Sequence, residues 1–589
     1  MGQEKFIAEI YGKCGNINSS KGHFQKAVQD YSNAAKFDEA KSHYVFQLAK
    51  CYQEMGDLEQ SLCFYQYAIE RAAPSSIELA NIKLRRGIMY SRNGRYREAI
   101  DDFTDALGVK SEKLPFFELY LERGKAYRHI ENVDQSISDI SHCFELQKYS
   151  TKPKILAGAY NELGLSLFLK GLLEESTEKF SKAIELDVEN AAYYNNRGKA
   201  YTAMKSTQLA FQDFNKALSL NAFDAAVLHN RGIAFMMEED YQNAHADFDS
   251  AIEINPLNSD FHFSKGQAYY SQEDYDLAKP CFIKCLEIDS GNPKVLYELA
   301  KTNHALDLNE ETMQVLERLL RISPAHDGGY QLRGVVYQKL NDHASAIANF
   351  DVALSLNPQK ARLIFLKGKS LLHQNQYEEA IKQFIMAEGL SLKDINVNKY
   401  LGQAFEALRN YDKSLYFFNR GLKEEPENTE FLVERSKLYT KLSKFREALA
   451  DLQKVNAVSP SSFIFFKIGY VLYKNKNYDE ALDNLRKCLD LGDLSQDYLH
   501  TAHYIMGLAH ASIDQFSDAI GPLSEAIRLR SDKVVYYHER AKCSLLTDQF
   551  EKAIEDFTQT INEQPINAHA YFGRGFAYKN IKEFRKAVG

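Results

Sequence analysis

Lysine recurs along the chain at a regular interval. Lys199, Lys301, Lys369 and Lys437 are separated by whole multiples of 34 residues. Ammonium groups repeated in this way are suited to binding carboxylates. Together with residues at related positions, they predict a mildly basic, aromatic surface that holds an acidic or amphipathic segment of a partner protein. The predicted contacts are Tyr297, Lys301, His304, Phe365, Lys369, Lys399, Lys437, Lys441, Phe466, Tyr473 and Lys474. In the alternative interpretation the lysines are solvated and only their aliphatic stems are packed.

Three asparagines form a second candidate patch. Asn195, Asn196 and Asn230 recur at the same interval, to within one residue. Asparagine side chains both donate and accept hydrogen bonds, so they can bind a peptide backbone of any sequence. The pattern predicts a short asparagine ladder.

Enzyme chemistry is not indicated. Gly368, Lys369 and Ser370 resemble the end of a phosphate-binding loop, but Leu363 occupies the position of the earlier glycine. Cys281 and Cys285 lie one helical turn apart, without a second cysteine pair or a histidine nearby in sequence, which favours packing over metal binding. The sequence predicts no catalytic, cofactor-binding or metal site.

A repeated pattern of small residues must position these candidates. Glycine or another small residue, called here the anchor, recurs at intervals of about 34 residues, and the spacing is strictly 34 for eight steps from Gly164 to Ser436. A second small residue usually follows 12 residues later, and a bulky one 16 residues later. The anchors are Gly15, Ala49, Gly87, Gly124, Gly164, Gly198, Gly232, Gly266, Ala300, Gly334, Gly368, Gly402, Ser436, Gly469, Gly507, Ala541 and Gly575.

The spacing of the small and bulky residues has a physical reason. Two antiparallel helices approach closely where the side chains at their crossing are small, and large residues then fill the space beside the crossing. Proline cannot continue a helix, so Pro256, Pro324 and Pro358 mark the end of a unit. A period of this length is typical of helix-turn-helix solenoids. The sequence therefore predicts an all-α chain of about sixteen to seventeen such repeats.

The motifs resemble those of the tetratricopeptide repeat family. The first-helix motif appears as RGKAY at 123–127 and 197–201, and the second-helix motif as YREAIDDF at 96–103 and YEEAIKQF at 377–384. The resemblance implies a right-handed superhelix with a concave groove, lined by residues three before, one after and four after each anchor. Family members that bind heat-shock proteins carry a clamp of lysines and asparagines. Gly12, Gln47 and Asn81 replace three of its residues, so heat-shock-protein tails are disfavoured as ligands.

One continuous solenoid is expected over residues 1–589. Longer junctions interrupt the period near 72–76, 110–115, 148–154 and 492–496, and we expect longer loops or extra helical turns there. The chain stops inside its last repeat, without a polar capping helix. Because solenoids need caps for solubility, we expect the native protein to continue or another element to cover this end.

The overall charge limits the class of partner. A net charge of −8 and an isoelectric point near 6.1 disfavour nucleic acid as a ligand. The sequence has no apolar run long enough to insert into a membrane and no secretory signal. A cytoplasmic location is predicted.

Binding to other proteins of a large assembly is therefore the predicted function. Long chains of such repeats resemble subunits of intraflagellar-transport, axonemal and anaphase-promoting complexes. A ciliary or microtubule-associated role is favoured, because a basic, aromatic groove suits the acidic tails of tubulin. The alternative is the substrate-recognition arm of a glycosyltransferase-like enzyme whose catalytic domain lies beyond residue 589.

Overall fold

A computed structural model describes residues 2–111, 113–146 and 152–588. The chain divides between Asp307 and Leu308 into two compact units. In both units the described residues form α-helices joined by turns, and none of them forms a β-strand. The prediction of an all-α chain of helix-turn-helix units is confirmed. That one solenoid runs through both units stays a prediction.

The first unit contains α1 to α17. Odd-numbered helices carry the anchors and are called first helices, and even-numbered helices are called second helices. The bounds are α1 Gly2–Ser20, α2 Phe24–Phe37, α3 Ser42–Glu54, α4 Leu58–Arg71, α5 Ile77–Arg92, α6 Tyr96–Leu107, α7 Phe116–His129, α8 Val133–Glu145, α9 Pro153–Leu169, α10 Leu173–Leu186, α11 Ala191–Ala203, α12 Thr207–Leu220, α13 Ala225–Met237, α14 Tyr241–Ile254, α15 Ser259–Ser271, α16 Tyr275–Ile288 and α17 Pro293–Ala305.

The second unit contains α18 to α34. Their bounds are α18 Asn309–Ile322, α19 Asp327–Lys339, α20 His343–Leu356, α21 Ala361–His373, α22 Tyr377–Gly389, α23 Asn396–Ala407, α24 Tyr411–Glu424, α25 Thr429–Lys441, α26 Phe445–Val458, α27 Ser462–Lys474, α28 Tyr478–Leu491, α29 Gln496–Ser512, α30 Phe516–Leu529, α31 Val534–Leu546, α32 Phe550–Glu563, α33 Ala568–Asn580 and α34 Phe584–Val588.

The glycine anchors lie against a second helix at very short range. At Gly368 an added Cβ would lie 2.6 Å from Cε1 of Phe384, and a Cβ at Gly232 would lie equally close to Phe248. Both rings are fully buried. The bulky residue therefore lies directly on the glycine rather than beside the crossing, so the anchor must be small.

Buried ion pairs also join the two helices of a repeat. Arg435, just before its anchor, donates two hydrogen bonds to Asp451, with Nε–Oδ2 at 2.8 Å and Nη2–Oδ1 at 2.7 Å. The same arrangement recurs in Arg86–Asp102, Arg123–Asp139, Arg197–Asp213, Arg231–Asp247 and Arg540–Asp556. Bidentate arginine–carboxylate pairs fix geometry as well as charge, so each pair sets how its two helices cross.

The turn inside each repeat takes a fixed form. The residue seven after the anchor has a left-handed backbone conformation, as at Gly171 (φ 83°) and at Asn375 (φ 60°). A residue in this conformation ends a helix and satisfies its last carbonyl groups. The short turn makes the two helices antiparallel and places the first helices side by side.

Extra residues at the longer junctions mostly lengthen a first helix. The helices α5, α9 and α29 contain 16, 17 and 17 residues, where α11 and α13 contain 13. At 110–115 the helix α7 contains 14 residues and the extra length lies in the loop. Residues 112 and 148–151 of the predicted junctions lie outside the described residues. No helix among the described residues is both long and apolar enough to cross a membrane.

Candidate functional site

Three consecutive first helices of the second unit surround a pocket of about 510 Å³. Glu406 at the end of α23, Lys437 and Lys441 on α25, and Lys467 and Lys474 on α27 line it. Residues four or seven apart share one face of a helix, so each pair of lysines faces the same side. We call this site the lysine pocket. The structure brings together three predicted contacts, Lys437, Lys441 and Lys474, whereas Lys467 and Glu406 were not predicted.

The lysine pocket has an excess of positive charge, since four lysines face one glutamate. Glu406 is only 8% exposed and lies 3.8 Å from Nζ of Lys437 and 3.4 Å from Nζ of Lys441. Lys467 and Lys474 form no ion pair with any residue that the structure describes. Glu434, which does not line this pocket, lies 3.7 Å from Nζ of Lys437. Two carboxylates therefore serve two lysines, and two further ammonium groups face the pocket without an ion pair.

Lys467 lies in apolar surroundings. Its Nζ is 5.0 Å from the ring centre of Phe463 and 5.6 Å from that of Tyr498. Burial lowers the pKa of Lys467 below its usual value, and the positive charge of Lys437 lowers this pKa further. An anion in the pocket would stabilise the protonated form of Lys467.

The remaining wall of the lysine pocket is largely apolar. Phe445, Leu452, Tyr470 and Val471 line it, and the Nζ of Lys474 lies 5.6 Å from the Tyr470 ring centre. Ammonium groups around an apolar wall suit a ligand that carries both carboxylates and apolar side chains.

A second pocket of about 600 Å³ adjoins the lysine pocket on α25. Glu434 lines the second pocket, and its carboxylate lies 3.7 Å from Nζ of Lys437 in the first. The predicted contact Lys399 also lines the second pocket, where its Nζ forms an ion pair with Glu430 at 2.5 Å. Lys369 lies nearby, with Nζ 5.4 Å from the ring centre of Tyr400. These first helices therefore present a continuous surface of mixed charge, whose positive excess lies in the lysine pocket.

Two predicted aromatic contacts are not on this surface. Phe365 is 2% exposed and Phe466 is 4% exposed, and both belong to the core. Phe365 packs against Phe384, with ring centres 5.7 Å apart. The assignment of these two residues to the groove was wrong, because large side chains at this position pack between helices. Tyr473 is half-buried beside Tyr478 and does not line the lysine pocket.

The contacts predicted on α17 belong to the first unit. The Nζ of Lys301 is 2.7 Å from Glu298 and 5.3 Å from the ring centre of Tyr297. Its charge is therefore already paired within its own helix. His304, on the same helix, is half-buried.

The predicted asparagines form hydrogen bonds between neighbouring first helices of the first unit. Nδ2 of Asn230 donates to Oδ1 of Asn195 at 2.9 Å, and Nδ2 of Asn196 donates to Oδ1 of Asn161 at 2.8 Å. Asn161 was not predicted, although it occupies the same position before its anchor as Asn195. The ladder thus joins α9, α11 and α13, and its use in binding a peptide backbone stays a prediction.

The described part of the chain contains no group of residues suited to binding a metal ion. No group of three or more histidine, cysteine, aspartate or glutamate residues there has the geometry to hold a metal ion. Sγ of Cys281 and Sγ of Cys285 donate weak hydrogen bonds to the backbone carbonyls of Leu277 and Ser259. These thiols act as small packing residues.

Comparison with known proteins gives three family-model matches. A tetratricopeptide repeat model matches residues 191–224, 259–292 and 464–491, a second one matches 332–388, and a TPR repeat model matches 164–205. Among solved structures, a tetratricopeptide repeat protein from Parabacteroides merdae is 21% identical with a TM-score of 0.34, covering 42% of this chain and 98% of that one.

Curated relatives are distant. A TPR repeat-containing protein of Methanocaldococcus jannaschii is 23% identical over 50% of this chain and 48% of its own length. The DnaJ protein P58IPK homolog A of Oryza sativa subsp. japonica is 22% identical over 46% of this chain and 63% of its own. The BBSome complex member BBS4 homolog of Drosophila melanogaster is 21% identical over 38% of this chain and 62% of its own length.

The chain thus spans between about half and two-thirds of the length of these relatives. The relatives differ in kind, so they resolve no subfamily. The model matches agree with the repeated helix pairs, their small anchors and their fixed turns. The chain contains tetratricopeptide repeats.

Proposed function

We propose that this chain is a non-catalytic scaffold that binds acidic, amphipathic segments of partner proteins along the first helices of its second unit. The observation that carries the proposal is the lysine pocket, where four lysines and an apolar wall face one buried glutamate. Tetratricopeptide repeats are suited to protein–protein interaction, and the proposal assigns this interaction to one surface.

Electrostatics favours a carboxylate-bearing ligand. Lys467 and Lys474 form no ion pair with a described residue, so a bound anion would give them a close counter-ion. The surroundings of Lys467 are partly shielded from water, where charge pairs interact more strongly than at an open surface. The apolar side chains of the ligand would contact Phe445, Leu452 and Val471. A ligand that is only charged would leave the apolar wall exposed, and a ligand that is only apolar would leave the lysines without a counter-ion. An amphipathic acidic segment therefore fits the pocket best.

Charge reversal at the exposed lysines tests the proposal. The probe is a synthetic amphipathic peptide built of Glu and Leu, called here the Glu–Leu peptide. Lys437→Glu with Lys474→Glu should weaken its binding to the full chain by about tenfold or more, because repulsion replaces two attractive contacts. Titration calorimetry measures the affinity.

The matched control reverses two exposed lysines on second helices, Lys454→Glu on α26 with Lys487→Glu on α28. This variant has the same net charge but an intact lysine pocket. An equal loss of affinity in both variants would show that only overall charge matters, and would contradict the proposal.

The lowered pKa of Lys467 predicts that binding depends on pH. A bound carboxylate stabilises the protonated ammonium, so affinity should fall as the pH rises through the pKa of free Lys467. Burial and the charge of Lys437 lower this pKa. The loss of affinity should therefore begin at a lower pH than it would for an ordinary lysine, whose pKa is about 10.4. In Lys467→Arg the fall should begin at higher pH, since arginine stays charged. Identical pH profiles of affinity for both proteins would exclude this role of Lys467.

We further propose a ciliary location. The distant resemblance to BBSome complex members supports it, and the lysine pocket suits the glutamate-rich tails of tubulin. A fluorescently tagged chain expressed in ciliated cells should concentrate in the cilium. A uniform cytoplasmic signal in those cells would count against the proposal.

A further inference from the structure

Three large apolar side chains stand exposed on successive turns of the first unit. Val188 follows α10, Phe223 follows α12 and Leu257 follows α14, and these side chains are 56%, 79% and 76% exposed. We call them the apolar edge. Phe223 and Leu257 occupy the same position of their repeats, where other repeats carry residues such as Gly291, Gln359 and Glu427. The fold therefore does not require an apolar residue at this position.

The three turns lie next to one another. Leu186, at the end of α10, and Leu218 on α12 pack into one core cluster. Leu218 packs in turn with Ile252 of α14 into the next cluster. These contacts join the ends of α10, α12 and α14, where the three turns begin. The exposed side chains on the turns therefore belong to neighbouring repeats. Leu220 and Ile254, 37% and 41% exposed, extend the apolar surface at the helix ends.

Acidic side chains predominate in the sequence next to the apolar edge. Residues 183–196, 217–230 and 251–264 contain six acidic residues and neither lysine nor arginine. The acidic residues are Glu185, Asp187, Glu189, Asp224, Glu253 and Asp260. None of them forms an ion pair with a residue that the structure describes. Asp224 caps α13, where it accepts hydrogen bonds from the backbone N–H groups of Ala226 and Val227, so the other five carboxylates are the ones available to a basic ligand.

We propose that the apolar edge binds a basic, amphipathic segment of a partner protein. Exposed apolar side chains bordered by charge are typical of interaction sites. Burial of Phe223 and Leu257 supplies most of the affinity, and the carboxylates select lysine and arginine in the partner over acidic residues. The edge lies in the first unit and prefers positive charge, so it takes a different class of ligand from the lysine pocket.

Two peptides and two variants separate the sites. The probes are the Glu–Leu peptide and its counterpart with Lys in place of each Glu, the Lys–Leu peptide. In the full chain, Phe223→Ser with Leu257→Asn should weaken binding of the Lys–Leu peptide by about tenfold or more and leave the Glu–Leu peptide unaffected. Lys437→Glu with Lys474→Glu should leave the Lys–Leu affinity undiminished, so the two proposals fail separately.

The control replaces exposed apolar residues elsewhere, Ile322→Ser with Leu356→Ser, which should leave Lys–Leu binding unchanged. Glu189→Gln with Glu253→Gln should weaken Lys–Leu binding and reduce its dependence on salt. Unchanged affinity in the Phe223/Leu257 variant would overturn the proposal. Self-association of the unaltered chain in sedimentation, abolished in that variant, would also overturn it, because the edge would then bind a second copy of this chain.

Discussion

Replacement of Arg435 by Met is expected to lower the free energy of unfolding of the second unit by about 3–5 kcal/mol, because it leaves a buried carboxylate without its partner. Asp451 is only 4% exposed and receives two hydrogen bonds from Arg435. Methionine fills most of the volume of the arginine stem, so the lost charge pair dominates the effect. Urea unfolding of the full chain measures the loss, and hydrogen exchange of α25 and α26 locates it.

The matched control is Asp451→Asn, which keeps the shape but removes the negative charge. It should cost much less, about 1 kcal/mol, because the chain already contains this arrangement. Nε of Arg333 donates to Oδ1 of Asn349 at 2.6 Å, and Nδ2 of Asn349 donates to the Ser345 carbonyl oxygen. If Arg435→Met and Asp451→Asn cost the same, the unpaired carboxylate is not the cause.

Substitution of valine for the anchor Gly368 is expected to destabilise the second unit by about 3 kcal/mol or more through overpacking. A Cβ at this position would lie 2.6 Å from Cε1 of Phe384 and 2.9 Å from its Cδ1. The ring is fully buried between neighbouring helices and has no free space to move into. The crossing of α21 and α22 would have to widen, which chemical denaturation detects as a lower unfolding midpoint.

Gly158 is the control for this substitution. It lies within α9, and a Cβ there would meet no atom within 4 Å. Gly158→Val should therefore change the free energy of unfolding by no more than about 0.5 kcal/mol, since valine has a slightly better helix propensity than glycine. A similar loss at both glycines would mean that the close approach at the anchor is not what requires glycine.

The helical architecture could be read from the sequence because its period is nearly uninterrupted. Glycine anchors and proline stops predict helix pairs independently of which partner residues pack together. The pairing of Arg435 with Asp451 was missed, although both lie inside recurring motifs. Its signal was available: an arginine before the anchor and an aspartate 16 residues later recur together in several repeats.

The binding surface could be predicted only in part. The exposure of the three lysines could be predicted because a charged ammonium group is rarely buried. These lysines are Lys437, Lys441 and Lys474. Phe365 and Phe466 lie in runs of consecutive apolar residues, where periodicity does not reveal which side faces the core. The role of Glu406 depends on packing between neighbouring repeats, which the pattern within one repeat does not contain.

The two proposed binding surfaces differ in local charge. The lysine pocket gathers positive charge from α25 and α27. The apolar edge has acidic residues on the turns after α10 and α12, and in α14 and α15 on either side of its third turn. The negative net charge of the chain is compatible with the proposed acidic ligand, because local charge at short range outweighs a distant and screened excess.

Photo-cross-linking from the lysine pocket tests whether an acidic, amphipathic ligand binds there. A benzophenone side chain replaces Tyr470, which lines the pocket, or Lys454 on the second helix α26. We expect the Glu–Leu peptide to cross-link at position 470 and not at 454, and Lys437→Glu with Lys474→Glu to abolish the product. Equal cross-linking at both positions, or a product at 470 that survives charge reversal, would contradict binding in the lysine pocket.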